Sequence, residues 1–201
     1  YRSLPFFMRV LNFGSLNIDY VYRVERMALP GQTMVSPTLD IYAGGKGANQ
    51  SMAVARGGGR VCHAGRIGED GRWLGTKLAR SGVECRYLTV DEGRSGLAMI
   101  QVDTLGQSAI VCHPGANARI DRSQIDSVLE NFSAGDALLL ENEINDVKIS
   151  YTRISDLPKK RKFKILTIGD SFSEQGHYGY QNILSKMNHW EILNIDNSLV
   201  N

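Results

Sequence analysis

The stretch "AGGKGANQ", residues 43–50, decides how this sequence is interpreted. Its three glycines, lysine and asparagine give a composition too loose for a helix interior and too polar for a buried strand. Small residues at helical spacing follow directly in "GANQSMAVARGG", so the glycines lead into a predicted helix. Glycines at that point let backbone N–H groups approach a small ligand, although they could also merely permit a bend.

Around this stretch, strand-like and helix-like segments alternate. "MRVLNFG" (8–14) and "RVCHAGRIG" (60–68) read as apolar strands, and "GRWLGTKLARSG" (71–82) reads as a helix. Strands separated by helices predict an α/β fold with a parallel sheet covered on both faces. Residues 96–117 differ, because two strand-like runs joined at residues 104–107 predict an antiparallel hairpin. We expect this hairpin to form a flap over one edge of the sheet.

Composition excludes several classes of function. The 201 residues are 42% hydrophobic with a formal net charge of +2, which indicates a globular protein without the basic surface that nucleic acid requires. No apolar run is long enough to cross a membrane. Three widely spaced cysteines (Cys62, Cys85 and Cys112) favour a reducing compartment, and we expect a cytoplasmic location. The two "VCH" segments predict no metal site, because adjacent strand residues point to opposite faces.

Polar residues fall where the predicted strands end, which is where open α/β sheets bind ligands. Asn17 and Asp19 follow the first strand, Gly44–Asn49 lead into a helix, and Glu143 follows "ALLLEN". Carboxylates accept hydrogen bonds, amides donate and accept, and lysine donates, so these groups suit the hydroxyls of a polyol. Each of them taken singly could instead be a cap or a turn residue.

Together these residues are more specific. Five stretches stand in the order and spacing of one family: "GSLNIDYVYRV", "GGKGANQ", "AGRIGEDGRWLG", "SGLAMIQVDTLGQSAIVCHPGAN" and "LLLENEI". The chain resembles the N-terminal half of ribokinase and other PfkB-type carbohydrate kinases over about residues 8–147. The resemblance implies an incomplete ribokinase-like α/β/α sandwich with a small β lid, ATP and Mg²⁺ as cofactors, and a ribose-like sugar as substrate. It also implies that strands 97–112 belong to the lid, through which a homodimer could form.

The resemblance further implies which residues contact the sugar hydroxyls: Asn17, Asp19, Gly45, Lys46, Asn49 and Glu143. In the family, a C-terminal "DTxGAGD" segment supplies the catalytic base and an anion hole. Asp103–Gly106 match only its first four positions, in a hairpin context, and are not expected to be catalytic. We therefore expect a sugar site without catalytic residues and without an ATP site in this chain. The alternative is a non-catalytic sugar-binding module.

Beyond residue 147 the pattern changes. Residues 148–160 read as a linker between a sugar-binding part (1–147) and a strand-helix segment (161–201). About residues 161–196, with "KILTIGDS", resemble the first block of SGNH-type (GDSL-like) hydrolases and acyltransferases, in which the serine is the nucleophile. Ser171 would match that serine, so a further alternative is an esterase or acyltransferase fragment. Two joined enzyme beginnings would make the chain truncated, chimeric or a natural fusion.

Overall fold

The computed structural model describes residues 8–133 and 135–141, and the backbone of residues 164–168 and 191–195. Two β-sheets and three α-helices make up this part of the chain. Short 3₁₀ turns cover Glu69–Gly71 and Gly115–Arg119. The other elements are, in chain order, β1 (Arg9–Phe13), β2 (Asn17–Arg23), β3 (Thr38–Gly44), α1 (Lys46–Arg56), β4 (Arg60–Gly68), α2 (Arg72–Arg80), β5 (Glu84–Asp91), β6 (Gly96–Val102), β7 (Ser108–His113), α3 (Arg122–Leu129), β8 (Ala137–Leu140), β9 (Lys164–Ile168) and β10 (Glu191–Ile195).

The larger sheet is parallel, as the alternation of strands and helices predicts. Its strand order is β10-β9-β8-β1-β4-β5, and every neighbouring pair is parallel. The predicted strand near residue 163 is β9, which lies beside β8 in this same sheet. The central strand β1 therefore has its carboxyl end between those of β4 and β8.

Alternating side chains of β1 and β4 build one hydrophobic core on each face of this sheet. On one face Val10 and Val61 pack with residues of α1 and α2, including Ala48, Leu74 and Leu78. The opposite face carries a second buried cluster, whose members are Leu11, Phe13, Cys62, Ala64, Ile120, Val128 and Phe132. Helices thus cover both faces, which gives the expected α/β/α layers.

The smaller sheet, called the lid here, has the strand order β3-β2-β6-β7. Strands β6 and β7 form the predicted antiparallel hairpin, and Gly106 in their turn has a φ of 78°. The lid is larger than the sequence predicts, because β2 pairs antiparallel with β3 and parallel with β6. Asn17 and Asp19 consequently lie on a lid strand instead of in a loop after β1.

Within residues 8–133 the chain passes between the larger sheet and the lid four times. The four connections are residues 14–16, Gly45, residues 92–95, and residues 114–115. Each of them contains a glycine. Gly45, Gly93 and Gly115 have φ values of 93°, 96° and 53°, a backbone region that other residues rarely adopt.

Among the described residues, no helix is both long enough and apolar enough to cross a bilayer.

Candidate functional site

The connection between β1 and β2 is a turn, residues 14–16, held by backbone hydrogen bonds from its neighbours. Gly14 N donates to Ala64 O of β4 (3.1 Å), and Ala48 N of α1 donates to Ser15 O (3.0 Å). Ser15 N donates to the Glu141 carboxylate, directly after β8, at 2.8 Å. The turn is therefore fixed at the carboxyl end of the sheet, where α/β folds bind ligands.

Asn17 and Asp19 stand two residues apart on β2 and so share one face of the lid. Asn17 is 7% exposed, and Asp19 is half-buried. The Asp19 carboxylate covers Gly44 of β3, since a Cβ placed at Gly44 would overlap it. Glycine at position 44 therefore makes room for this carboxylate.

The "GGKGAN" stretch forms the junction between β3 and α1, as the sequence predicts. Gly45 is the N-cap residue of α1, and a Cβ there would lie 2.6 Å from Ser15 O and 3.0 Å from Asn17 N. Gly47, in the first turn of α1, lies so close to the β1–β2 turn that a Cβ would be 2.5 Å from Gly14 Cα. The two glycines let the start of α1 contact the β1–β2 turn directly.

The structure thus brings Asn17, Asp19 and Gly45 together where the lid meets α1. Lys46 follows as the first, half-buried residue of α1, and Asn49 lies one turn further on with an exposed side chain. Glu143 lies outside the described residues. The positive end of the α1 dipole lies at this junction and favours electronegative ligand atoms.

A buried polar network lies directly behind the start of α1. Asn12 Nδ2 on β1 donates to Gly47 O (2.8 Å) and to Ser51 Oγ (2.9 Å). Ser51 Oγ in turn hydrogen-bonds His63 Nδ1 on β4 at 2.8 Å. Burial lowers the pKa of His63 to about 4, and the Gly14 backbone acts more weakly in the opposite direction. The network therefore contains a neutral histidine at neutral pH.

Three supporting residues of this site were not anticipated from the sequence. Glu141 holds Ser15 N, Asn117 hydrogen-bonds both Leu16 and Asn17, and His63 supports α1 through Ser51. Glu141 had a signal, because it lies two residues before Glu143, directly after the apolar part of "ALLLEN". Asn117 ends a stretch that resembles the family, but no local pattern links it to Leu16 or Asn17, and none links His63 to Ser51.

Adjacent side chains of the "VCH" segment on β4 point to opposite faces of the sheet. Cys62 belongs to the core on the α3 face and lies 3.2 Å from Glu84 Oε2, whereas His63 faces α1. Burial and the neighbouring Glu84 raise the pKa of Cys62 to about 12. Among the described residues, no group of three or more His, Cys, Asp or Glu side chains could hold a metal ion.

A polar groove of about 370 Å³ lies on the opposite, α3 face and does not include the site residues. Its lining side chains largely satisfy one another. Arg66, for example, donates to Asp121 (2.8 Å) and to Gln124 (2.6 Å) and lies 3.4 Å from Asp91. The polar side chains of the groove are therefore explained by their pairing with one another, without a ligand.

A parallel sheet covered on both faces, with a small lid and a glycine-rich helix start, is the fold that the resemblance to carbohydrate kinases predicts. The profile for pfkB family carbohydrate kinases matches residues 8–188. The chain therefore belongs to the pfkB family of carbohydrate kinases. The match extends over much of the stretch that resembles SGNH hydrolases, and Ser171 lies outside the described residues.

Known ribokinases are similar to this chain in sequence and in structure. Ribokinase of Haemophilus influenzae is 31% identical over 158 residues, which are 76% of this chain and 50% of that protein. The crystal structure of ribokinase from Cryptococcus neoformans var. grubii serotype A in complex with ADP has a TM-score of 0.65 at 33% identity, covering 81% of this chain and 50% of that one. The crystal structure of ribokinase from Thermotoga maritima has a TM-score of 0.67 at 29% identity, covering 81% of this chain and 52% of that one. The chain spans about half the length of these relatives.

Proposed function

We propose that the described residues form the sugar-binding half of an ATP-dependent carbohydrate kinase that acts on a ribose-like sugar. The observation that carries this proposal is the meeting of Asn17 and Asp19 with Gly45 at the junction of the lid and α1. The ribokinases named above take their name from ribose, which supports a pentose as the substrate.

The site offers the hydrogen-bond chemistry that sugar hydroxyls need. Asp19 accepts hydrogen bonds, Lys46 donates them, and the amides of Asn17 and Asn49 supply both kinds of group. The glycines of "GGKGAN" let a sugar ring approach the backbone at the start of α1. Glu143 completes the proposed set from the segment after β8.

Phosphoryl transfer also needs a base or orienting carboxylate beside the acceptor hydroxyl. "DTxGAGD", in which the family resemblance places that base, does not occur in these 201 residues. Asp103 cannot replace it, because its carboxylate accepts from Leu105 N and Gln107 N, both at 2.9 Å, and so caps the β6–β7 turn. We propose that this chain binds the sugar but does not turn over ATP by itself. ATP and Mg²⁺ belong to the whole kinase.

Isothermal titration of the whole chain with D-ribose tests the sugar site. We expect binding that Asp19→Ala weakens about tenfold or more, since a charged hydrogen bond contributes about 1.5–3 kcal/mol. Asp126→Ala is the matched control, because Asp126 is an exposed carboxylate of α3 paired with Arg122, and its loss should leave ribose affinity unchanged.

An ATP turnover assay on the same sample tests whether this chain is catalytically incomplete. Sugar binding without turnover fits both the binding half of a kinase and such a module. Turnover of ATP by this chain would contradict the proposed incompleteness. A folded sample that binds no pentose would overturn the sugar site itself.

We also propose a cytoplasmic homodimer that forms through the lid. The lid face opposite Asn17 and Asp19 exposes Ile41, Met99 and Val111, which the strand register places in one row with Tyr20. Exposed apolar rows of this kind mark association surfaces. We expect Val111→Glu to shift the chain from dimer to monomer in sedimentation velocity, with Ser108→Glu as the control on the same strand. A wild-type monomer at micromolar concentration would contradict the dimer.

No observation in the described part of the chain favours the SGNH-like alternative. Its nucleophile, Ser171, falls outside that part. The predicted division of the chain at residues 148–160 stays a prediction, although β9 continues the sheet that contains β1 and β8.

A further inference from the structure

We propose that Asn117 is a positioning residue that fixes the side-chain amide of Asn17, so that Asn17 presents its NH₂ group to the sugar. The inference rests on the proposed sugar-binding function. It assigns a role to the "GAN" that follows β7, which the sequence had left outside the site.

The Asn117 side chain hydrogen-bonds the backbone of Leu16 as a neighbouring β-strand would. It lies in the 3₁₀ turn Gly115–Arg119 and is 2% exposed. Its Oδ1 accepts from Leu16 N at 3.0 Å, and its Nδ2 donates to Leu16 O at 3.2 Å. One side chain thus satisfies both backbone groups of Leu16, which lies in the β1–β2 turn between the two sheets.

The direction of these hydrogen bonds follows from the backbone. Leu16 N–H can only donate, so the Asn117 oxygen must face it and the Asn117 NH₂ must lie on the other side. That NH₂ also lies 2.8 Å from the Asn17 side chain, which must therefore meet it with its own oxygen, Oδ1. The NH₂ of Asn17 is left pointing away from Asn117, and it donates no hydrogen bond to any residue that the structure describes.

The outcome is an oriented donor on the same strand face as an acceptor. Asn17 offers NH₂, and Asp19, two residues further along the same face of β2, offers a carboxylate. A sugar hydroxyl can accept from the first group and donate to the second. Without Asn117, the Asn17 amide could turn over and present its oxygen beside the Asp19 carboxylate, which would place two acceptors together.

Gly96 at the start of β6 is packed against this amide pair. It is the register partner of Asn17, and a Cβ at position 96 would overlap both Asn117 Nδ2 and Asn17 Oδ1. Its φ is ordinary, so the close approach explains the glycine. Residues of β2, β6 and the 3₁₀ turn Gly115–Arg119 therefore all contact the Asn17 amide or its partner.

The test is a double-mutant cycle on the whole chain, with D-ribose affinity measured by titration calorimetry. Asn117→Asp keeps an acceptor for Leu16 N but removes the donor to Asn17, and we expect ribose affinity to fall about tenfold. In an Asn17→Ala background the same substitution should change affinity less than about threefold, because there is no amide left to orient. Asn117→Ser, which is neutral, replaces Asn117→Asp if the buried carboxylate prevents folding.

Asn131→Asp is the matched control. Its side chain donates to Ser127 O at the end of α3, away from the site, and its substitution should leave ribose affinity unchanged. Full additivity of the Asn17 and Asn117 effects, or unchanged affinity in a folded Asn117 variant, would overturn the inference.

A readout without sugar separates this inference from the proposed function. In the ¹⁵N-labelled chain, the side-chain amide signals of Asn17 are those lost in Asn17→Ala. We expect these signals to shift in Asn117→Asp or Asn117→Ser and to stay in place in Asn131→Asp. If wild type binds no ribose, the proposed function fails while the amide signals still decide whether Asn117 holds Asn17. Unshifted Asn17 signals in a folded variant refute the positioning role.

Discussion

Replacing Gly47 by alanine is expected to lower the free energy of unfolding by about 2 kcal/mol or more and to abolish ribose binding. The new Cβ would lie 2.5 Å from Gly14 C and Cα and 2.6 Å from Ser15 N, all of them backbone atoms. A backbone cannot swing aside as the end of a flexible side chain can, so the helix start and the β1–β2 turn must separate. Alanine's better helix propensity, about 1 kcal/mol, offsets only part of this loss.

Urea unfolding and ribose titration of the same samples measure both effects. Gly57→Ala, at the other end of α1, is the control, because its φ of −75° is ordinary and its Cβ would meet Ala53 O at 3.4 Å. We expect Gly57→Ala to change stability by less than about 0.5 kcal/mol. Wild-type stability in Gly47→Ala would show that α1 does not pack against the turn as described.

The second large effect is a dependence of stability on pH that comes from His63. Burial lowers its pKa from 6.5 to about 4, so the folded chain keeps this histidine neutral while the unfolded chain protonates it below pH 6.5. Between these two values the unfolded state binds more protons, and stability falls as the pH falls. Above pH 6.5 both states are neutral and the contribution is constant. We expect a loss of about 3 kcal/mol across this window that is absent from His63→Gln.

Urea unfolding of wild type and His63→Gln at pH 7.5, 6.5, 5.5 and about 4.5 isolates this effect as the difference between the two chains. His113→Gln is the control, because His113 is an exposed residue of β7, and this variant should follow wild type. Parallel stability curves for wild type and His63→Gln would mean that His63 is not enclosed between β4 and α1.

Local patterns predicted those parts of the fold in which neighbouring residues determine the structure. The glycines before α1, the β6–β7 hairpin and the parallel sheet all follow from short-range spacing. Strands β2 and β3 were both missed. Strand β3 is largely exposed and has no buried side alternating with an exposed one. A strand with both faces partly in water lacks the hydrophobic period that identifies strands.

The sequence predicted the residues proposed to face the ligand, but it did not predict the buried residues that hydrogen-bond them. Asn17, Asp19 and Gly45 stand out because polar groups and glycines at strand ends suggest ligands. Asn117 is 101 residues from Leu16, and Asn12 is 35 residues from Gly47, so no local pattern could pair them. Their importance follows from burial, because a buried amide must find partners wherever the fold provides them.

The four glycine-containing connections between the larger sheet and the lid lie at one end of the lid, and Asn17 and Gly45 lie in or beside them. The β6–β7 turn and residues 24–37 lie at the opposite ends of the lid strands. A change in the angle between the two sheets would therefore displace these outer segments more than the proposed sugar contact at Asn17. The position of Asn17 is thus the least sensitive to the tilt of the lid.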